Sequence, residues 1–138
     1  MIEGLIGAAV GVVTIVVARV IRGQQWLYSI GLLTLPSLYA MWALRAGEHA
    51  LAFKELIYGV PFLVAGVAFA FVSVRFSAVA VGVLWILHGL YDLTHARFFT
   101  NPGVPGWYPV WCFAVDLVVG AYVLWLAGRL PNGDLRKA

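Results

Sequence analysis

Five long apolar runs, separated by short polar stretches, make up most of this chain. They cover residues of about 2–22, 24–44, 54–74, 76–98 and 107–130. Crossing a hydrocarbon core of about 30 Å takes about 20 helical residues, and each run supplies that length. A lipid-spanning segment has to satisfy its backbone polar groups internally, which turns runs of this kind into helices. The pattern therefore predicts an all-α polytopic integral membrane protein: a bundle of five transmembrane helices in one transmembrane domain, residues 1–138.

The breaks between runs carry the expected residue types. Gly23 closes the first span, and Asn101-Pro102-Gly103-Val104-Pro105-Gly106 is a short, stiff link between the fourth and fifth. Pro131-Asn132-Gly133 ends the fifth, ahead of a basic tail. Arg45 to Glu55 form a polar connection, with Glu48 and His49 in it. Pro36 falls in the middle of the second span, where it removes a backbone donor and frees a carbonyl. Thr34 and Ser37 flank it and are placed to repair the loss. In the first span, Gly7 and Gly11 form a small-xxx-small pattern that permits close helix approach, and with it a candidate homo-oligomer contact.

Composition sharpens the class. Hydrophobic residues are 63% of the chain and charged residues 11%, against about 25% charged in soluble domains. Too few polar residues remain to coat a soluble core. The net charge of +3 is spread over span ends with no basic cluster, which argues against a nucleic-acid partner. Glu3 precedes the first run and Arg19 and Arg22 follow it, the reverse of a signal peptide, so that run reads as a retained span. Arg19, Arg22, Arg75, Arg129, Arg136 and Lys137 fall on one side of a five-span bundle, and Arg45, Lys54 and Arg97 on the other. Six against three predicts the first side to be cytoplasmic, with the N-terminus outside and the C-terminus inside. The expected location is a bacterial-type inner (plasma) membrane, with membrane lipids as partners. Cys112 is the single cysteine, so no internal disulfide is possible.

The chemistry concentrates in one stretch, His88-Gly89-Leu90-Tyr91-Asp92-Leu93-Thr94-His95. His88, Tyr91, Asp92 and His95 stand at offsets of 3, 4 and 7, which places all four on one helical face. Ionisable groups at membrane depth are costly and mark a functional site whose partner should be sought. At 1.5 Å per residue, His88 lies about 15 Å below the outer end of the fourth span. Asp116 lies about 13.5 Å into the fifth by the same rise. Antiparallel neighbours should bring the two together, and small Cys112 and Gly120 on the face of Asp116 point it into the bundle. Glu55 stands above a groove lined by Gly59 and Gly66 in the third span, and Glu48, His49, Glu55 and His95 are expected near the outer surface. A polar pocket in the outer half, between spans three, four and five, follows.

Three functions compete for that pocket. The leading one is a small intramembrane enzyme acting on a lipophilic small molecule, with His88 and Asp92 as acid and base. Asp116 would orient His88, Tyr91 would donate a hydrogen bond and Glu55 would assist. General acid–base catalysis requires a group that titrates near neutral pH, a condition met by histidine beside a carboxylate. Its metal-assisted form would use His88, Asp92 and His95 around a divalent ion, zinc or iron, with Glu55 or Asp116 completing the set. Three ligands so far apart along one helix are hard to bring to one ion, because His88 and His95 are separated by about 10.5 Å of rise. The alternatives are proton, ion or solute transport, or an accessory protein whose His/Asp network is structural. Trp85, one turn below His88, is either core or an aromatic wall for a ligand.

Overall fold

In the computed structural model, residues 1–71 and 77–129 are described. Five helices follow one another: α1 (Ile2–Val20), α2 (Gln24–Arg45), α3 (His49–Phe71), α4 (Ser77–Thr94) and α5 (Tyr108–Ala127). All five are long and apolar enough to cross a membrane. Arg75, the Pro131-Asn132-Gly133 break, and Arg136 and Lys137 of the tail lie outside the described residues, so part of the charge asymmetry does too.

The first two connections end their helices in the same way. After α2, Gly47 takes a φ of 81°, its N–H reaches the Leu44 carbonyl at 3.0 Å, and the Glu48 N–H reaches Ala43 at 2.9 Å. Those two bonds define a Schellman cap. After α1 the same pair of bonds runs from Arg22 to Arg19 and from Gly23 to Ala18. Here Arg22, with a φ of 52°, takes the left-handed position, so the turn falls one residue earlier than Gly23 suggested.

Two boundaries differ from the sequence expectation. The third helix starts at His49 instead of near residue 54. The polar stretch there contains Ala50, Leu51 and Ala52, and Ala52 buries itself against Ala40 and Ala43 of α2, so tertiary packing extends the helix. The fourth α-helix stops at Thr94 and tightens into a 3-10 turn over His95–Arg97. The Thr94 hydroxyl donates to the Leu90 and Tyr91 carbonyls at 3.0 and 3.1 Å, and such tightening is common at helix ends.

Glycines set the closest approaches. Gly7 and Gly11 lie against α5, where an added Cβ at Gly7 would run into the Trp111 carbonyl and one at Gly11 would come 2.9 Å from the Val118 Cβ. The small-residue face of α1 is thus filled by α5 of the same chain and is not free to receive a second copy. Gly82 and Gly120 let α4 and α5 meet backbone to backbone. Gly59 fits against Pro36, and Gly31 against the Trp85 ring. Trp85 is core: it is buried and donates its indole N–H to the Tyr28 carbonyl at 3.0 Å. Around Pro36, Thr34 and Ser37 donate to the Gly31 and Leu33 carbonyls, on either side of the one the proline frees.

Helix α2 packs along α3, and α5 along both α1 and α4. Helices α3 and α4 touch far less, and the space they leave is where the site lies.

Candidate functional site

The polar face of α4 forms as its spacing requires. His88, Asp92 and His95 are buried and Tyr91 is half-buried. His88 Nδ1 lies 2.9 Å from Asp116 Oδ2, so the expected contact between the fourth and fifth helices is present. Close approach makes it possible: a Cβ on Gly89, one residue beyond His88, would stand 3.0 Å from the Cβ of Asp116. The same Nδ1 is 3.5 Å from Asp92 Oδ2, one turn along α4. All three side chains are almost wholly inaccessible. Potential ligand atoms of His88, Asp92 and Asp116 lie within 4.8 Å of one another.

His95 belongs to a different group. Its Nε2 is 2.8 Å from Glu55 Oε1, and its ring stacks on Tyr39 at 3.9 Å between centroids. It is not among the potential ligand atoms that cluster with His88 and Asp92; Asp116 is. The rise along α4 separates the two histidines, and Glu55 of α3 meets the nearer one. Both His95 and Glu55 are 3% exposed, covered by the link to α5. Phe99 is buried there, and Asn101 donates its amide to Glu55 Oε1 at 3.2 Å and to the Tyr39 carbonyl at 3.1 Å. Glu48 and His49 are exposed and take no part.

Between the two groups lies a cavity of about 200 Å³. Helix α2 contributes Pro36 and Tyr39, α3 contributes Glu55, Tyr58, Gly59 and Phe62, and His88, Tyr91 and Phe98 close the remaining side. The pocket is thus bounded by α2, α3 and α4. Helix α5, expected as a wall, stands behind His88 and supplies Asp116 instead. Tyr58 and Phe98 are each 62% exposed, which sets them at the mouth. The Tyr91 hydroxyl donates to Glu55 Oε2 at 3.4 Å.

Two contributors were not legible as site residues. Asn101 reads as a turn former in a Pro/Gly-rich link, and nothing local marks it as the residue that ties Glu55 to α2. Tyr39 reads as an aromatic in a span. The available signal was its position three residues after Pro36, on the side of α2 that the proline shapes.

Several buried polar atoms of α2, α4 and α5 near His88 have no protein hydrogen-bond partner. Both oxygens of Asp92 and Oδ1 of Asp116 have no hydrogen-bond partner, nor do the buried hydroxyls of Tyr39 and Tyr108. Buried polar atoms are nearly always paired, so a cluster of orphans calls for an explanation such as water, an ion or a role in chemistry. Comparison with protein-family profiles, with curated proteins and with solved structures finds no match for this chain.

Proposed function

We propose that this protein is a small intramembrane enzyme that moves a proton on a lipophilic molecule held beside His88. The observation that carries this reading is the position of His88, which lines a largely apolar cavity while its Nδ1 faces two buried aspartates. Asp116 accepting from Nδ1–H fixes the tautomer and leaves Nε2 as the basic atom, the nitrogen that can reach a ligand. Asp92 and Asp116 then stabilise the imidazolium that forms once the proton is taken. Tyr91 and Tyr39 supply hydroxyls at the cavity wall. Isomerisation, cyclisation and hydrolysis of a lipid-soluble molecule all need such a transfer. Tyr58 and Phe98 form the mouth, where a membrane-dissolved molecule arrives sideways between α3 and α4.

A purely structural network is disfavoured by the apolar cavity that His88 lines, because a network serving packing alone would be fully enclosed by side chains. The charge asymmetry supports the orientation with the N-terminus outside and the cavity in the outer half of an inner membrane.

The substrate need not be identified for the test. Purified protein is incubated with a total membrane-lipid extract in D2O, and the extract is surveyed by mass spectrometry. A lipophilic species that gains deuterium or changes abundance with wild type, and not with His88→Gln, is expected. If wild type alters nothing and retains nothing from the extract, the reading fails.

One observation favours a second reading, metal-assisted chemistry: the clustering of His88, Asp92 and Asp116. One nitrogen and two carboxylates suit zinc or iron. Elemental analysis of protein purified without chelators decides it. About one metal per chain in wild type, lost in both Asp92→Asn and Asp116→Asn, would replace His88 as the base with a metal-bound group. Absence of metal from wild type leaves the acid–base reading alone.

A further inference from the structure

The charge and lining of the cavity say more about its ligand than that it is lipophilic. Among the described residues, the buried ionisable side chains are Glu55, Asp92 and Asp116 against His88 and His95. No lysine or arginine is buried with them. An anionic group, a phosphate or a carboxylate, finds no lysine or arginine among the lining residues to offset its desolvation and faces the Glu55 carboxyl there.

The walls then discriminate between a neutral ligand and a cation. Five aromatic rings line about 200 Å³: Tyr39, Tyr58, Phe62, Tyr91 and Phe98. Glu55 lines it as well, and its Oε2 is the less committed oxygen, with only the 3.4 Å bond from Tyr91. Aromatic faces carry a negative quadrupole, and enclosing a cation with several of them is the known means of holding quaternary ammonium groups. The volume is below the roughly 300 Å³ at which drug-sized pockets begin, which suits an ammonium head and not a bulky body.

We propose that the cavity binds a small alkylammonium group, of trimethylammonium size, against its aromatic walls and the Glu55 carboxylate. This rests on the cavity being the binding site for the reaction proposed above, and it names the chemical class of what enters. The ammonium comes either from a free solute such as choline or from the headgroup of a choline lipid, since the exposed rim at Tyr58 and Phe98 leaves the cavity open to either.

The discriminating probe is a matched pair: choline and its neutral tert-butyl isostere, 3,3-dimethylbutan-1-ol. Both are titrated into protein in an uncharged maltoside detergent, with binding read by calorimetry and by the shift in melting temperature. Choline is expected to bind at least about tenfold more tightly than the isostere, as cation–π attraction at a partly desolvated site provides. Glu55→Gln is expected to narrow that preference. Because Glu55 also pairs with His95, Phe98→Leu at the exposed rim is the second variant, and it should weaken choline more than the isostere. Short-chain phosphatidylcholine and chain-matched phosphatidylglycerol identify the source. Preference for the choline lipid assigns the headgroup, whereas binding of free choline alone assigns a solute, and either result supports the inference. Equal or tighter binding of the isostere overturns the inference while leaving the cavity, and the enzyme reading, intact. If neither probe binds, and the D2O survey above still finds a His88-dependent species, only the ammonium assignment falls. If that survey is empty as well, both readings fall.

Discussion

Two buried acid–histidine pairs have their histidines less than two helical turns apart, on α4 and on the 3-10 turn that follows it, and they differ in how their oxygens are met. At Glu55–His95 both carboxylate oxygens have donors: Oε1 is met by His95 and Asn101, Oε2 more loosely by Tyr91, and the imidazole is stacked beneath Tyr39. At His88–Asp116 one bond is made, and three carboxylate oxygens of Asp92 and Asp116 are left over. The first pair holds α3, α4 and the link before α5 together. The cavity lies between the two pairs, lined by Glu55 of the first and His88 of the second.

The contrast is broken most directly through activity. Replacing His88 with Gln removes the titrating nitrogen but retains an amide of similar reach. Against the species found in D2O, the exchange rate is expected to fall by about 10²–10⁴, the usual contribution of general acid–base catalysis. Helical content by circular dichroism should be unchanged. A His95→Gln variant whose exchange falls as far would erase the distinction between the two pairs.

Stability should divide them the opposite way. Glu55→Gln converts a charge-assisted network into one in which an amide N–H₂ faces donors from His95 and Asn101. The expected loss is about 1–3 kcal/mol in a mixed-micelle unfolding titration. Asp92→Asn replaces a buried carboxyl whose oxygens have no protein hydrogen-bond partner, and it should cost nothing measurable or stabilise. The sign of the difference between these two variants is the prediction. If Asp92→Asn is the more damaging, Asp92 is paired in the membrane by something that water or an ion supplies, and the elemental analysis then becomes decisive.

Much of this architecture could be read from the chain because lipid imposes simple rules. Five runs of about 20 apolar residues become five helices, and the offsets from His88 to His95 determine which groups share a face. Equal depth on antiparallel neighbours located Asp116 opposite His88, since both quantities follow from helical rise. The fate of His95 followed from none of these. Its partner comes from α3, and its burial depends on how the link to α5 folds back, a non-local fact that no periodicity records. The same limit applies to the cavity. Spans three, four and five carry the acids and histidines and so suggested the walls, whereas α2 forms one side through Pro36 and Tyr39, which bear no charge. The glycine pattern of α1 illustrates the reverse case: sequence shows that a close approach exists but not which helix makes it.

The smallest effect on exchange is also the most selective probe of the division. Asn101 touches only the finished pair, donating to Glu55 and to the Tyr39 carbonyl while its own side-chain oxygen accepts from the Gly103 N–H at 3.1 Å. Gly103 in turn fits against the Trp42 carbonyl, where a Cβ has no room, so the link is anchored to α2 independently of Asn101. Asn101→Ala should therefore keep the link packed against α2 while removing three hydrogen bonds, those to Glu55 and the Tyr39 carbonyl and the one from the Gly103 N–H. The expected cost is about 1 kcal/mol for each bond lost, in the same unfolding titration. His88-dependent exchange in D2O should stay within about twofold of wild type. An exchange rate that instead fell with the loss of this distant amide would mean that Glu55 and His88 act as one unit across the cavity, with Tyr91 between them, and that the two pairs are not separable.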